Sequence, residues 1–318
     1  MFDFFANLLL AGLFMNFSIQ NNQVIDNFSN SHLPEAGYRQ VVSVVPEIVQ
    51  NLPQKKVDAS STGVSVSADS VLVIDAETGK ILYAKGTTDK RSIASITKLM
   101  TALVFMDHKQ DWDKTWTISS TDYRAGAVAY LNSGDVVSTK DIFYTAMVAS
   151  ANEGAAALAR ITGLSQQDFV AEMNKKAVDL GMINSHFADP TGLDNNNEST
   201  AQDIAILAQT AFNNPDIFRA VQTNNYQITI QNKKLSRKIF STDKILGQSF
   251  GWDDNTCKVE AGKTGYIEKA GYCFASQISD EHGKKIIVVV LGSATLNDRF
   301  TDTKSLAYWV FKNYEWQN

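Results

Sequence analysis

The sequence predicts an α+β fold, in which an antiparallel sheet of N- and C-terminal strands is flanked by helices and accompanied by a mostly helical subdomain. Strand patterns lie near both ends of the 318-residue chain, and a helical period dominates between about residues 96 and 213. With 44% hydrophobic and 20% charged residues, the chain has the composition of a globular protein with a sizeable core.

The N-terminus predicts export. Residues 4–19 form an uncharged apolar run about as long as a signal-peptide core, and we assign residues 1–20 to a signal peptide. Asp3 stands where a basic residue is expected and no A-x-A cleavage site follows, so an uncleaved membrane anchor is the alternative. Residues 21–67 are rich in Asn, Gln, Ser and Val and predict a flexible linker, which argues against a buried helix. We expect a periplasmic or other extracytoplasmic protein.

The ordered domain is predicted over residues 68–316. Residues 71–85, "VLVIDAETGKILYAK", contain two β-rich runs around a Glu-Thr-Gly turn and predict a hairpin. "ITKLMTALVFMDH" at 96–108 carries apolar residues at helical spacing, and "DFVAEMNKKAVDLG" at 168–181 ends on a helix-stopping glycine. Further strands are predicted at 226–230, 258–265, 271–279 and 284–293, with an amphipathic helix over 301–316.

This layout makes a prediction about the two cysteines. If residues 258–265 and 271–279 form a hairpin, residue 273 lies opposite about residue 263, and Cys257 falls beyond the other end. A disulfide needs Cα atoms within about 7 Å. We therefore expect Cys257 and Cys273 to be free thiols.

Several function classes are disfavoured by composition. The net charge of -5 and the absence of a basic patch argue against nucleic-acid binding. The four histidines are far apart and neither cysteine has ligand spacing, so no metal site is expected. Without a phosphate-binding glycine motif, no cofactor is expected either. Any catalysis must come from side chains.

A Ser-x-x-Lys pattern is weak evidence by itself, because a chain of this length contains roughly one or two by chance. It occurs at Ser95 and Lys98 in "SIASITKLM", and again at Ser241 and Lys244 in "STDK". Taken alone, Ser95 reads as a helix cap and Lys98 as a solvated residue. The second copy lies in a polar stretch, where Lys244 should be solvated and protonated.

Two further motifs follow in order along the chain. Ser150-x-Asn152 lies in "VASANEGAAALA", and Lys263-Thr264-Gly265 lies in "EAGKTGYIEKAGYC". Each alone is typical of a turn or a strand end. The ordered combination with Ser95-x-x-Lys98 is far more specific than any single motif.

These motifs, with "MNKKAVDLGMINSHFADPTGLD" and "VVVLGSATLNDRFTD", resemble the low-molecular-weight penicillin-binding proteins, which are D-alanyl-D-alanine carboxypeptidases and endopeptidases. The resemblance covers residues 68–316 and implies a β-lactamase/transpeptidase-like fold. It also implies a peptidoglycan stem peptide ending in D-Ala-D-Ala as substrate, and β-lactams as covalent inhibitors. We expect a monomer.

Elementary chemistry supports a role for the first motif. Residues three apart on a helix share a face, so the Ser95 hydroxyl and the Lys98 amine can approach each other. A serine hydroxyl is a weak nucleophile until a base takes its proton, and Lys98 can do so only when neutral. Burial and a nearby cation both lower a lysine pKa, and Lys263 is the candidate cation.

The resemblance implies a role for each motif residue. Ser95 is the acylated nucleophile and Lys98 its base, Ser150 relays a proton to the leaving amine, and Asn152 holds Lys98 and the substrate backbone. An oxyanion hole of Ser95 and a second backbone N–H completes this set, with each donor typically worth about 3 kcal/mol.

The third motif is implied to bind the substrate. Lys263 and Thr264 receive its terminal carboxylate, and Gly265 leaves the strand edge bare for the substrate to add as a strand. Tyr266 contributes its backbone N–H to the oxyanion hole, whatever its side chain does.

Three alternative functions remain open. A class A serine β-lactamase needs a Glu in an E-x-x-x-N setting, which residues 186–200 lack, although Asp189 is a possible substitute. A non-catalytic β-lactam sensor would not need all the catalytic residues. A D,D-endopeptidase is closer, because the short stretch after Lys263 resembles that branch in extent. We take carboxypeptidase as the first choice.

Overall fold

The structure is a computed structural model that describes residues 52–57, 61, 63–108, 111–124, 126, 128–252 and 255–316. The predicted signal or anchor segment, residues 1–20, lies outside the described residues, as does most of the predicted linker. None of the helices that the structure describes has both the length and the apolar character needed to cross a membrane.

The strands of the described residues form one large sheet and four two-stranded pairs. In chain order they are β1 (Gln54–Lys55), β2 (Ser70–Asp75), β3 (Ile81–Lys85), β4 (Arg91–Ser92), β5 (Thr115–Thr117), β6 (Val136–Ser138), β7 (Glu198–Ser199), β8 (Asn225–Ile230), β9 (Leu235–Phe240), β10 (Ser249–Trp252), β11 (Asn255–Ile267), β12 (Gly271–Ser279), β13 (Lys285–Ser293) and β14 (Tyr314–Glu315).

The helices of the described residues lie mostly between the N- and C-terminal strands. They are α1 (Thr97–Asp107), α2 (Thr139–Val148), α3 (Asn152–Ile161), α4 (Gln166–Asp179), α5 (Ala201–Asn213), α6 (Pro215–Val221) and α7 (Asp298–Asn313). A short 3₁₀ turn, Ala94–Ile96, leads into α1.

The large sheet has the strand order β10-β11-β12-β13-β2-β3, and every neighbouring pair is antiparallel. The N-terminal hairpin joins the C-terminal strands where β2 pairs with β13. Strand β13 is a nearly continuous apolar run because it is central and covered on both faces. The predicted α+β fold with a sheet of N- and C-terminal strands is thus confirmed.

Alternation along the central strands divides the core into two layers. On β13, Ile287 and Val289 face the helices of the large cluster, which includes α1 and α5. Val288 and Val290 face the opposite side, where Leu306 of α7 packs. The period of two in a strand produces this division, since successive side chains point to opposite faces.

Most helices begin at caps that can be read from the sequence. Four have a polar side chain that accepts a hydrogen bond from the first turn; the caps are Ser138, Ser165, Thr200 and Asn214. Helix α1 differs, because its N-cap residue is Ile96 and no side chain caps it. The Ser95 hydroxyl is therefore not used as a cap.

Two details of strand pairing differ from the simplest sequence reading. The predicted strand at 226–230 pairs only with β9, in a separate two-stranded sheet. In the β11–β12 hairpin, Cys273 lies opposite Gly265, two residues beyond the expected position. Cys257 and Cys273 are nevertheless both free thiols, as predicted, and both are buried.

Part of the predicted linker contacts the C-terminal region. Strand β1 pairs with β14. The carboxylate of Asp302 in α7 accepts hydrogen bonds from the Ser67 hydroxyl at 2.8 Å and the Ala68 backbone N–H at 3.0 Å. The domain boundary at residue 68 stays a prediction.

Candidate active site

The three motifs meet in one cleft, which has a volume of about 290 Å³. The 3₁₀ turn before α1 carries Ser95, the loop between α2 and α3 carries Ser150, and the edge of β11 carries Thr264. Its described lining residues are Ser95, Gly126, Val128, Tyr130, Ala149, Ser150, Asn152, Leu193, Thr242, Thr264, Gly265, Tyr266 and Arg299.

Lys98 lies beneath the cleft with all three ammonium donors directed at acceptors. Its Nζ is 2.8 Å from Ser95 Oγ, 2.8 Å from Asn152 Oδ1 and 2.6 Å from the Thr191 carbonyl oxygen. The side chain is 0% exposed, which rules out the solvated lysine expected for an isolated Ser-x-x-Lys. The helical spacing thus brings the hydroxyl and the amine into contact.

Burial lowers the pKa of Lys98 to about 7, because the charged form loses its hydration. The charges of Asp189 and Glu153 act in the opposite direction and raise it. Since an ordinary lysine is protonated at neutral pH, this change makes a neutral amine accessible near pH 7. A neutral Lys98 can accept the proton of Ser95.

Lys263 is the second buried lysine, with 1% of its surface exposed. Its Nζ donates to Ser150 Oγ at 2.6 Å and to the Thr264 carbonyl oxygen at 2.9 Å. Burial lowers its pKa well below the usual value, the charges of Lys98 and Arg299 lower it further, and Asp243 raises it. The motif side chains are therefore joined by three contacts: Lys98 with Ser95, Lys98 with Asn152, and Lys263 with Ser150.

The positive charges of the two lysines repel each other, and this repulsion lowers the pKa of Lys263. Lys263 was expected to be the cation that lowers the pKa of Lys98. In the structure, burial is the main cause of the lowered pKa of Lys98. The charge of Lys98 in turn lowers the pKa of Lys263.

Two non-glycine residues beside the reacting groups have left-handed backbones. Ala94, directly before the nucleophile, has φ 47°, and Ser150 has φ 56°. Such conformations typically cost about 1–3 kcal/mol and persist where the surroundings impose them. At Ser150 the turn between α2 and α3 directs the hydroxyl at Lys263.

Gly265 and Gly192 pack closely against the backbone of the nucleophile segment. A Cβ on Gly265 would lie 2.9 Å from the Ile93 carbonyl oxygen and 3.1 Å from the Ser95 nitrogen. A Cβ on Gly192 would collide with the Ala94 carbonyl and lie 2.9 Å from the same nitrogen. Gly265 was expected to leave the strand edge bare for substrate; here it also makes room for the Ser95 backbone.

Asp189 organises the turn that supplies an acceptor to Lys98. Its carboxylate accepts hydrogen bonds from the Thr191 hydroxyl at 2.8 Å, the Gly192 N–H at 2.7 Å and the Asp194 N–H at 2.6 Å. These contacts hold the turn whose Thr191 carbonyl faces Lys98. These contacts indicate that Asp189 has a structural role in the turn.

Thr242 and Arg299 are two polar residues that line the cleft and belong to none of the three motifs. The Thr242 hydroxyl lies 2.6 Å from the Thr264 hydroxyl, and Arg299 donates to the Gly265 carbonyl oxygen at 3.1 Å. Arg299 is only 6% exposed. Thr242 belongs to the "STDK" segment dismissed as a chance match, whose Lys244 is exposed as expected.

Tyr266 follows the third motif and stands at the mouth of the cleft with 52% of its surface exposed. Its ring stacks on Tyr272 with the centroids 4.3 Å apart. The Arg299 guanidinium lies 5.5 Å from the centre of the Tyr272 ring. The Tyr266 side chain thus forms part of one wall, in addition to the backbone role expected for this residue.

Comparison with known proteins identifies relatives across most of the chain. A sequence profile of the D-alanyl-D-alanine carboxypeptidase family matches residues 55–295. A D-alanyl-D-alanine endopeptidase of Pseudomonas aeruginosa is 30% identical over 77% of this chain and 77% of that protein. The D-alanyl-D-alanine carboxypeptidase DacF of Bacillus subtilis is 29% identical over 78% of this chain, which spans 63% of the relative.

A solved structure supports the fold independently. Penicillin-binding protein D2 of Listeria monocytogenes, in its ampicillin-bound form, superposes with a TM-score of 0.67 at 28% identity. The match covers 79% of this chain and 100% of that one. The expected transpeptidase-like architecture is therefore confirmed.

Proposed function

The chain belongs to the D-alanyl-D-alanine carboxypeptidase family, and on that premise we propose that it is a serine peptidase acting through an acyl-enzyme on Ser95. Its substrate is the stem peptide of peptidoglycan ending in D-Ala-D-Ala, from which it removes the last residue. The observation that carries this proposal is the contact of 2.8 Å between Ser95 Oγ and the fully buried amine of Lys98.

Acylation begins when neutral Lys98 takes the proton of the Ser95 hydroxyl. The freed oxygen attacks the carbonyl carbon of the penultimate D-Ala, and its electron pair forms the new C–O bond. The bond to the terminal D-Ala then breaks, and Ser150 passes a proton to the leaving amine. The contact of 2.6 Å between Ser150 Oγ and Lys263 Nζ provides a source to replace that proton.

The terminal carboxylate of the substrate is received by the cationic side of the cleft. Thr264 presents its hydroxyl there, beside the guanidinium of Arg299, and the buried amine of Lys263 contacts the Thr264 carbonyl oxygen at 2.9 Å. Asn152 uses its carbonyl oxygen on Lys98, which leaves its amide N–H groups for the substrate backbone. The backbone N–H groups of Ser95 and Tyr266 stabilise the oxyanion.

The ester on Ser95 is then hydrolysed, which releases the shortened stem peptide as a carboxylate and returns the proton to the serine. β-lactams acylate the same oxygen, and we propose that their acyl-enzymes are released slowly. Asp189, nominated from the sequence as the group that could activate water, is occupied by local N–H groups. The protein is thus a target of β-lactams and not a β-lactamase.

Peptidoglycan lies outside the cytoplasmic membrane, so the substrate requires export of the enzyme. The apolar run at residues 4–19 supports export through a signal peptide, or attachment through an uncleaved anchor. We propose that the enzyme works extracytoplasmically as a monomer.

Digestion of purified muropeptides tests the proposed reaction. We expect the enzyme to release free D-Ala from uncross-linked pentapeptides, and the Ser95→Ala variant to release none. A wild-type enzyme that accepts a β-lactam on Ser95 but leaves pentapeptides intact contradicts the carboxypeptidase assignment.

A D,D-endopeptidase is the second candidate, and the relative from Pseudomonas aeruginosa named for that activity favours it. The chemistry on the acyl side is the same, while the leaving amine belongs to the side chain of a cross-linking residue. Cross-linked dimers digested in parallel separate the two activities, because an endopeptidase converts them to monomers.

A further inference from the structure

The turn at residues 189–194 contacts both the proposed base and the segment of the proposed nucleophile. The Thr191 carbonyl oxygen lies 2.6 Å from Lys98 Nζ. A Cβ on Gly192 would lie 2.9 Å from the Ser95 nitrogen, so the turn packs directly behind that residue. A displacement of this turn therefore affects the base and the nucleophile together.

The Thr191 carbonyl also bears on the direction of the Lys98 lone pair. Two of the three oxygens around Nζ, those of Asn152 and Thr191, can only accept hydrogen bonds. The third belongs to the Ser95 hydroxyl, which can also donate. A neutral amine has two N–H groups and one lone pair. When the two N–H groups donate to the oxygens that only accept, the lone pair is left for the Ser95 hydroxyl.

The side chain of Asn197 connects the two ends of this turn. The residue is 0% exposed. Its Oδ1 accepts from the Ala188 N–H at 2.9 Å and from the Asp189 N–H at 3.3 Å. Its Nδ2 donates to the Asp194 carbonyl oxygen at 3.2 Å. Because backbone groups that lose a buried partner are costly, this amide stabilises the turn in one position.

The backbone of Asn197 contacts the nucleophile segment. Its carbonyl oxygen accepts from the Ile93 N–H at 3.1 Å, two residues before Ser95. Close by, the Asn195 carbonyl oxygen accepts from the Ser92 hydroxyl at 2.6 Å. Asn197 thus lies where the turn that contacts the base meets the segment that carries the nucleophile.

We propose that Asn197 is a positioning residue that keeps the Thr191 carbonyl on Lys98 and so directs the lone pair of the base at Ser95. It acts through the backbone of the turn and not through contact with the substrate. This inference rests on the proposed function, because it takes Ser95 as the nucleophile and Lys98 as the base.

Charged groups from three parts of the fold interact with Lys98. Asp189 of the turn and Glu153 of α3 raise its pKa, while Lys263 of β11 and Lys98 repel each other. The Asn197 amide contacts the backbone of Asp189. Without that amide, Lys98 loses a firmly held carbonyl acceptor and the Asp189 carboxylate is held less firmly. Both changes disfavour the charged amine, so the pKa of Lys98 should fall.

The test is the pH profile of acylation by a fluorescent penicillin, measured between about pH 5 and 9 for the wild type and Asn197→Ala. A displacement of about 1 Å at a reacting group can cost roughly 100-fold in rate. We expect the plateau rate to fall at least about 10-fold and the acid limb to move to lower pH by about 1 unit. A merely structural role lowers the rate or the stability without moving that limb. That result, or an unchanged profile, would overturn the proposal.

Asn174→Ala is the matched control. The Asn174 Oδ1 accepts from the Phe187 N–H at 2.9 Å, and its Nδ2 donates to the Phe187 carbonyl oxygen at 2.8 Å. The substitution removes the same kinds of backbone contact just before the turn, and it should leave the acid limb in place. An equal movement of the limb in both variants would mean general loosening of the region and would contradict a specific role for Asn197.

Thermal unfolding shows whether Asn197→Ala is folded, and Asn197→Ser is a second variant whose side chain is too short to connect both ends of the turn. A folded variant of either kind that keeps the wild-type acid limb refutes the inference. If neither variant folds, Asn197 is needed for folding and not for positioning, and the inference also fails. Failure of the proposed function has a different signature, because the wild type itself would then not be acylated at Ser95.

Discussion

The amine of Lys98 and the hydroxyl of Ser95 lie 2.8 Å apart, and the lysine is completely buried. This pairing joins the proposed nucleophile to its proposed base, whose charge the protein interior disfavours. Asn152 and the Thr191 carbonyl fix the amine from the other sides. Each of these contacts predicts the effect of substituting one residue.

The first prediction concerns the identity of the acylated serine. Because the Ser95 hydroxyl lies in the cleft 2.8 Å from the buried amine of Lys98, we expect Ser95→Ala to abolish covalent labelling by fluorescent penicillin. Ser241→Ala should label like the wild type, since Lys244 is exposed to solvent. Gel fluorescence followed by mass spectrometry of the labelled peptide provides the measurement. Labelling that survives Ser95→Ala would refute the assignment.

The second prediction separates charge from basicity at Lys98. Arginine keeps a cation but does not release its proton at working pH. We expect Lys98→Arg to lower the acylation rate by at least about 100-fold, the lower end of what a general base typically contributes. Stopped-flow or quench measurements of acylation provide the rate. A rate close to that of the wild type would remove Lys98 from the role of base.

The third prediction is the acid limb of the acylation profile. Because burial lowers the pKa of Lys98 to about 7, the neutral amine is the minor form below that pH and the major form above it. We therefore expect the rate to rise as the pH passes through about 7. An acid limb near the ordinary lysine pKa would mean that Lys98 is not held neutral by its surroundings.

The fourth prediction addresses the close packing behind the nucleophile. Gly192 has φ 84°, and a Cβ there would collide with the Ala94 carbonyl. We expect Gly192→Ala to lower the free energy of unfolding by roughly 2–4 kcal/mol, since a backbone penalty adds to a steric one. Acylation should slow as well, because Ser95 follows Ala94. Urea unfolding measures the stability.

Gly181→Ala is the control for that substitution. Gly181 has a similar φ of 79°, but nothing lies within 4 Å of the position its Cβ would occupy. Only the left-handed penalty of about 1–2 kcal/mol should remain, with acylation unchanged. Equal effects of the two substitutions would show that the packing against Ala94 contributes nothing.

The sequence predicts much of the fold because some patterns are local. The strand at 284–293 and the end of α4 before Gly181 are decided by nearby residues, and both appear in the structure as expected. The motif residues could also be identified from the sequence, since a fixed short spacing on a helix or strand places their side chains close to one another. Burial of Lys98 was expected only from its proposed function, because lysine is rarely buried in proteins. In the structure its helix is buried around most of its circumference, and Lys98 is buried with it.

The remaining site residues depend on tertiary contacts that no local pattern encodes. Arg299 reads as an ordinary charged helix residue, and Thr242 lies in a polar stretch between strands. They reach the cleft because α7 packs on the sheet and because the segment after β9 returns to Val148. Strand β8 was assigned correctly as a strand, but its pairing with β9 alone could not be read from its alternation.

The last prediction links catalysis to stability at Lys98. In the unfolded chain this lysine has an ordinary pKa of 10.5, and in the folded protein it is about 7. Between these values the unfolded state binds more protons, so the free energy of unfolding contributed by this group increases as the pH rises. Lys98→Met removes the ionisable group and with it this dependence. We expect the stability of Lys98→Met relative to the wild type to decrease by roughly 1 kcal/mol per pH unit between about pH 7.5 and 10. Lys244→Met, at the exposed copy of the motif, should show no such trend, and a flat difference for both variants would contradict a lysine whose charge is disfavoured by burial.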